Sequence, residues 1–159
     1  QGYLVMAAAG LVACNDNLDM ADVLSAEAID LLDVVETGCT DDIFDVYNPL
    51  GYDAVAVVDD PFELADWGNA VGVNDTNLLP VLAPLLIIHG GEDEQIPVET
   101  SATLLDQLCA FEDQGPTVRN VYEGQSHAGI LTTFAAVPDL LAWVGGRFAG
   151  EPAPDMCAP

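Results

Sequence analysis

Two short segments of the chain carry residue types that could move protons. One is His89-Gly90-Gly91-Glu92-Asp93-Glu94-Gln95-Ile96-Pro97, directly after the apolar run Leu85-Leu86-Ile87-Ile88. The other is Tyr122-Glu123-Gly124-Gln125-Ser126-His127, at the end of a β-branched and aromatic stretch that begins at Thr117. In parallel α/β sheets function gathers at the carboxyl ends of the strands. Asp93 and His127 are therefore expected in loops at one edge of a sheet, on neighbouring strands. A carboxylate beside an imidazole fixes its tautomer and stabilises the imidazolium, as a base and its orienting group require. Neither residue stands out alone, since Asp93 is one of 27 acidic residues and a lone loop histidine is often idle. Their joint placement after successive strands, with glycine at both turns, selects them. His89, at the strand end, is read as structural.

The elements that must position this pair can be read from pattern. Leu85–Ile88 lies between Pro84 and Gly90-Gly91, which is the signature of a strand buried on both faces. Thr117–Tyr122 reads as a second strand. A helix is expected after Pro97, with Leu104, Leu105 and Leu108 on one face and Gly115 closing the segment. A last helix is expected from about Val137 to Phe148, with Leu140, Leu141, Val144 and Phe148 as its apolar face. Strand, helix, strand, helix is the α/β order. Two strands do not complete a doubly wound sheet, so the rest is expected to lie in residues absent from this chain.

Upstream the pattern is helical and then irregular. Residues 2–13 are Ala-rich and apolar nearly all round, as in a buried helix. Ser25 can cap a second helix bearing Ile29, Leu32 and Val35, with Gly38 as its stop. Residues 40–77 are irregular and rich in Asp, Gly, Asn and aromatics, and Asp60-Pro61 is expected to start a short helix containing Phe62, Leu64 and Trp67.

Charge removes several classes of function. Twenty-seven acids against two basic residues, Arg119 and Arg147, leave a net charge of −25. Phosphate backbones and anionic membranes are bound by Lys and Arg clusters, so neither is an expected partner. A phosphate-binding P-loop needs a lysine, and there is none. The longest apolar stretch, Tyr3 to Cys14, falls short of the roughly 20 residues that span a bilayer. It also lacks the basic start of a signal peptide, and because the chain opens on Gln1 it is expected to be a piece of something longer. Such an acidic surface suits high salt, where counterions screen it, although many secreted proteins are simply acidic. Four cysteines without CxxC spacing and two histidines do not suggest a zinc site, and no EF-hand pattern occurs among the acids.

At this point a resemblance becomes specific. His-Gly-x-x-Asp-x-x-Ile-Pro after an apolar strand, followed by Gly-x-x-His, resembles the C-terminal half of an α/β-hydrolase, whose triad runs Ser, Asp, His along the chain. More narrowly, the chain resembles the secretory lipase family, of the yeast lipase A type and its bacterial relatives. The matching features are the small-residue helix Gly2–Ala13 followed by Asp19-Met20, Asn74-Asp75-Thr76-Asn77, Leu108-Cys109-Ala110, and the tail Trp143…Arg147-Phe148-Ala149-Gly150…Pro152…Cys157.

The resemblance implies the last parallel strands of an α/β-hydrolase with their flanking helices, preceded by a mainly helical lid. Residues 1–13 would be a core-packed helix, 14–76 the lid, and 77–159 the C-terminal part of the hydrolase core with its tail. Asp93 and His127 would be triad acid and base in a secreted carboxylic-ester hydrolase acting on lipid or other esters. A disulfide between Cys109 and Cys157 would tie the tail to the helix after Asp93, and Cys39 would pair with Cys14 or with a cysteine of the absent half. No cofactor is implied, because serine acyl transfer needs none.

The departure lies in the nucleophile. No Gly-x-Ser-x-Gly occurs, and the serines are Ser25, Ser101 and Ser126. Ser25 reads as a cap, Ser101 lies in a helix, and Ser126 abuts His127. The serine is therefore expected in a missing N-terminal half, which is then the chain's principal partner. Two other readings remain open: a non-catalytic binding module on a hydrolase scaffold, and a peptidase of the same fold.

Overall fold

A computed structural model describes residues 1–76 and 78–157. Asn77, which closes the Asn74–Asn77 motif and opens the expected core segment, lies outside the described residues. The chain divides into two compact units, Gln1–Asp75 and Thr76 onward.

The first unit is helical: α1 (Gly2–Cys14), α2 (Ala26–Asp30), α3 (Asp33–Thr37), α4 (Thr40–Tyr47), α5 (Tyr52–Val55) and α6 (Ala65–Gly72). Its core gathers Val5, Ala8, Val23, Leu24, Ile43 and Tyr47 among others. The Tyr47 hydroxyl, buried with its ring, donates to the Ala28 carbonyl at 2.9 Å and so avoids the cost of an unpaired polar group. Ser25 caps α2, its Oγ accepting from the Ala28 amide at 3.1 Å. The single helix expected before Gly38 is broken at Leu31-Leu32, where Leu31 and Leu32 bond three residues back instead of four, and Gly38 ends α3.

The irregular stretch expected from residue 40 is largely helical. Helix α4 starts with a reciprocal cap, the Cys39 amide donating to the Asp42 carboxylate at 2.8 Å. It buries Ile43 and Tyr47, one turn apart. Acidic first turns favour helices, so aspartates that read as breakers here act as N-terminal charges. The helix expected from Asp60-Pro61 is two elements: a 3-10 turn Pro61–Glu63 capped by Asp60, then α6 with Trp67 buried. Helix α1 is not enclosed as expected. It buries Gly2, Val5 and Ala8, but Tyr3, Ala7 and Gly10 face solvent within this unit because its neighbours α3 and α4 flank one side.

The second unit holds β1 (Leu85–Gly90), α7 (Val98–Leu108), β2 (Thr117–Tyr122), α8 (Gly129–Thr132) and α9 (Val137–Phe148). The strands are parallel neighbours, with Leu85 opposite Thr117 and Gly90 opposite Tyr122. Contrary to the two-face burial expected, Leu85–Ile88 are only half-buried, and full burial begins at His89 and Gly90. A two-stranded sheet cannot cover both of its own faces. Likewise Leu141 and Phe148 on the apolar face of α9 are exposed, together with Leu131 and Phe134.

The far edge of β2 is occupied by the tail. The Pro116 carbonyl accepts from Leu85, so Thr117 and Arg119 direct their backbone groups away from β1. There the Met156 amide donates to the Thr117 carbonyl at 2.7 Å, and the Thr117 amide donates to the Asp155 carboxylate at 3.1 Å. A disulfide between Cys109 and Cys157 fixes this tail to the end of α7, as the family resemblance implied. Cys14 and Cys39 are free and exposed, so the Cys14–Cys39 pairing is not formed. No helix among the described residues is long and apolar enough to cross a membrane.

Candidate functional site

Strand β1 delivers its chain end into a tight approach with the loop after β2. A Cβ on Gly90 would collide with the Gln125 and Ser126 carbonyls, so only glycine lets the two segments come this close. Main-chain bonds then join them: the Gly91 amide donates to the Tyr122 carbonyl at 2.8 Å, and the Glu92 amide to the Gln125 carbonyl at 3.0 Å. Gly124, at φ +72°, makes the turn that allows this.

This stitching brings Asp93 to His127. The His127 Nδ1 lies 2.9 Å from Asp93 Oδ2 and 3.1 Å from Oδ1, across 34 positions of sequence. The Oδ1 atom also accepts from the amides of Gln95 at 2.9 Å and Ile96 at 2.8 Å, closing a turn that aims the carboxylate. The side chain of Asp93 is 6% exposed, whereas that of His127 is 38% exposed. Burial by itself would raise the Asp93 pKa, but the Ile96 amide, the His127 ring and the Gln95 amide together outweigh it and hold the group at about 2. Asp93 is thus a fixed anion. With Nδ1 facing that anion, the neutral His127 ring carries its proton there and leaves Nε2 free to accept one. Neighbouring Glu94 accepts from the His127 main-chain amide at 3.2 Å, and hydrogen bonds from its own amide and from that of His127 lower its pKa.

A cavity of about 210 Å³ opens at the pair, lined by Ile88, His89, Gly90, Ile96 and Ile130 besides Asp93 and His127. It is apolar except for the titratable groups, so it offers room for a small apolar group beside a base.

His89, read from sequence as structural, touches the pair. Its Nε2 lies 3.3 Å from Asp93 Oδ2 and 3.1 Å from the Ile96 carbonyl, and its Nδ1 lies 2.8 Å from Ser101 Oγ. The four-residue spacing from His89 to Asp93 is the one local signal that could have suggested this. Ser101 and Arg119 come from α7 and β2, and nothing local announces them.

Ser101, His89 and Asp93 therefore stand in series, but not as a group that can attack a substrate. Ser101 is 7% exposed. Its Oγ is crowded by His89 Nδ1, Arg119 Nε at 2.7 Å and the Val98 carbonyl at 3.0 Å. A reacting carbonyl would have to approach to about 3–3.5 Å. Ser25 caps α2, and Ser126 Oγ is engaged by the Gly129 amide at 3.0 Å. No group of three or more His, Cys, Asp or Glu residues that could hold a metal occurs among the described residues.

With this geometry in view, the chain can be set beside known proteins. It is 34% identical over 83 residues to Lipase 10 of Candida albicans, a match covering 52% of this chain and 17% of that protein. Lipase 2 and Lipase 6 of the same organism match at 35% over 81 residues and 31% over 75, covering 51% and 47% of this chain. About half of this chain is lipase-like in sequence. The matched stretch spans only 16–17% of the length of these relatives. No protein-family model and no solved structure matches the chain.

Proposed function

We propose that this chain is the acid- and base-bearing part of a carboxylic-ester hydrolase, a lipase or esterase of the α/β-hydrolase kind. The observation that carries the reading is the Asp93–His127 pair, 2.9 Å apart, on loops after two adjacent parallel strands and beside an apolar cavity. The lipase relatives support ester substrates with an apolar acyl part. In this reading His127 Nε2 takes the proton of a serine hydroxyl supplied by an upstream segment as its oxygen adds to the ester carbonyl. It then returns that proton to the leaving alcohol, while Asp93 stabilises the imidazolium between the two transfers.

The helical first unit is the lid in this scheme, and the exposed apolar side chains of Leu131, Phe134, Leu141 and Phe148 are surface that the rest of a larger sheet domain would cover. A disulfide that pins the tail is consistent with secretion into an oxidising compartment.

The test is complementation. The 159-residue chain alone is expected to leave p-nitrophenyl esters at the rate of its own His127→Ala control, and joining the serine-bearing upstream segment restores turnover. In the completed protein Asp93→Asn is expected to cost about 10⁴ in turnover, the loss that follows when the imidazole is held in the wrong tautomer. A completed protein indifferent to both Asp93→Asn and His127→Ala would overturn the reading. The engagement of Ser25 in a cap, Ser101 in a buried network and Ser126 in a turn favours one alternative, a binding module that retains the scaffold. Absence of Gly-x-Ser-x-Gly from the upstream coding sequence would decide for it.

A further inference from the structure

Asp93 Oδ2 lies 3.3 Å from a second imidazole besides that of His127, the ring of His89, and the proposed reaction gives that ring no task. His89 is 9% exposed and is gripped at both nitrogens. Its Nε2 faces only acceptors, Asp93 Oδ2 and the Ile96 carbonyl, so that nitrogen must carry a proton. Its Nδ1 faces Ser101 Oγ. Arg119 Nε already donates to that oxygen, and Arg119 Nη2 donates at 2.8 Å to the Val98 carbonyl, the other acceptor within reach of the Ser101 hydroxyl. In the neutral ring Nδ1 is an acceptor, so Arg119 donates to Ser101, the Ser101 hydroxyl turns from the Val98 carbonyl to donate to His89 Nδ1, and His89 Nε2 donates to the Ile96 carbonyl beside Asp93 Oδ2. One of the two basic residues in a chain with 27 acids is committed to this arrangement.

We infer that His89, held by Ser101 and Arg119, is a positioning residue for the Asp93–His127 pair: its Nε2 donates to the Ile96 carbonyl and so fixes the turn whose Ile96 amide aims the Asp93 carboxylate at His127 Nδ1. The two histidines are consequently locked in opposite tautomers, His89 with its proton on Nε2 and His127 with its proton on Nδ1. The kinetic side of this inference rests on the hydrolase reading above; its structural side does not.

The chain contains only two histidines, so long-range ¹H–¹⁵N spectra of the imidazoles resolve both tautomers directly. The native chain at neutral pH is expected to show one ring of each kind, and a His89 protonated on Nδ1 overturns the inference without any variant. Two conservative variants then separate the ring's two nitrogens. The amide of His89→Gln reaches the place of Nε2, whereas that of His89→Asn reaches only the place of Nδ1 and keeps the Ser101 contact. The Gln variant should preserve the His127 Nδ1–H pattern. The Asn variant should let that ring average between tautomers while amide dispersion stays native. In the serine-bearing protein the Asn variant should lower kcat about tenfold with KM unchanged, the upper end for a neutral hydrogen bond, and the Gln variant should recover most of it. A His127 pattern that is identical in both variants refutes the positioning role. Absence of ester turnover in the native completed protein would instead refute the hydrolase reading and leave the spectroscopic comparison to decide this one.

Discussion

Removing the Cys109–Cys157 disulfide by the double substitution Cys109→Ala/Cys157→Ala should be the most costly change available outside the site. The bridge closes a loop of 48 positions. In the chain-entropy account such a loop restrains the unfolded chain by about 4 kcal/mol at 25 °C. The folded side adds to this, since the bridge holds Asp155 and Met156 on the Thr117 backbone, and a released tail loosens two hydrogen bonds worth about 1 kcal/mol each. Against a typical domain stability of about 5–15 kcal/mol the loss is large. For a chain of this size the total of about 6 kcal/mol corresponds to a melting temperature lower by roughly 12–24 °C. Urea unfolding followed by circular dichroism measures it, with native protein under a thiol reductant as the second arm. Both arms should fall by similar amounts. A double variant within about 1 kcal/mol of the native protein would refute the reasoning, since neither the loop closure nor the tail contacts would then carry weight.

Two further outcomes follow from charge. The Asp93 carboxyl is held at about 2 when folded against about 3.9 in an unfolded chain. A depressed pKa means its stabilising contribution is complete above about pH 5 and is lost as pH falls towards 2. Asp93→Asn should therefore be less stable than the native chain at pH 7, with the difference closing between about pH 5 and 2 in acid titrations; a constant gap across that window would contradict it. The net charge of −25 repels itself over a Debye length that shrinks to about 3 Å at 1 M salt. The melting temperature should accordingly rise from low salt to molar NaCl, and a flat or falling calorimetric series would show that the acids are already offset locally.

Much of the second unit was legible because its signals are local. A β-branched run marks β2, apolar residues between Pro84 and Gly90 mark β1, and their loops present Asp93 and His127. The burial of β1 and α9 was overestimated because a periodic apolar face states what an element is suited to cover, and two strands give these faces too little to cover them. Helix α4 was hidden by composition: Asp41 and Asp42 read as loop residues, although at a helix N-terminus the same charges are favourable. The contact between His89 and Asp93 was missed because its supports, Ser101 and Arg119, sit on α7 and β2. Their meeting depends on packing that no spacing along the chain encodes.

The loops that carry Asp93 and His127 are held together by peptide groups, through the amides of Gly91 and Glu92. Main-chain bonds are indifferent to what the side chains are. Glu92 stands exposed at this junction with its backbone amide already committed to the frame. Its side chain can therefore be exchanged for a neutral, basic or bulky one while the distance between acid and base stays fixed. The surface charge beside the pair and the geometry of the pair are then separately adjustable, and substitutions confined to this position would vary the first while nearly preserving the second.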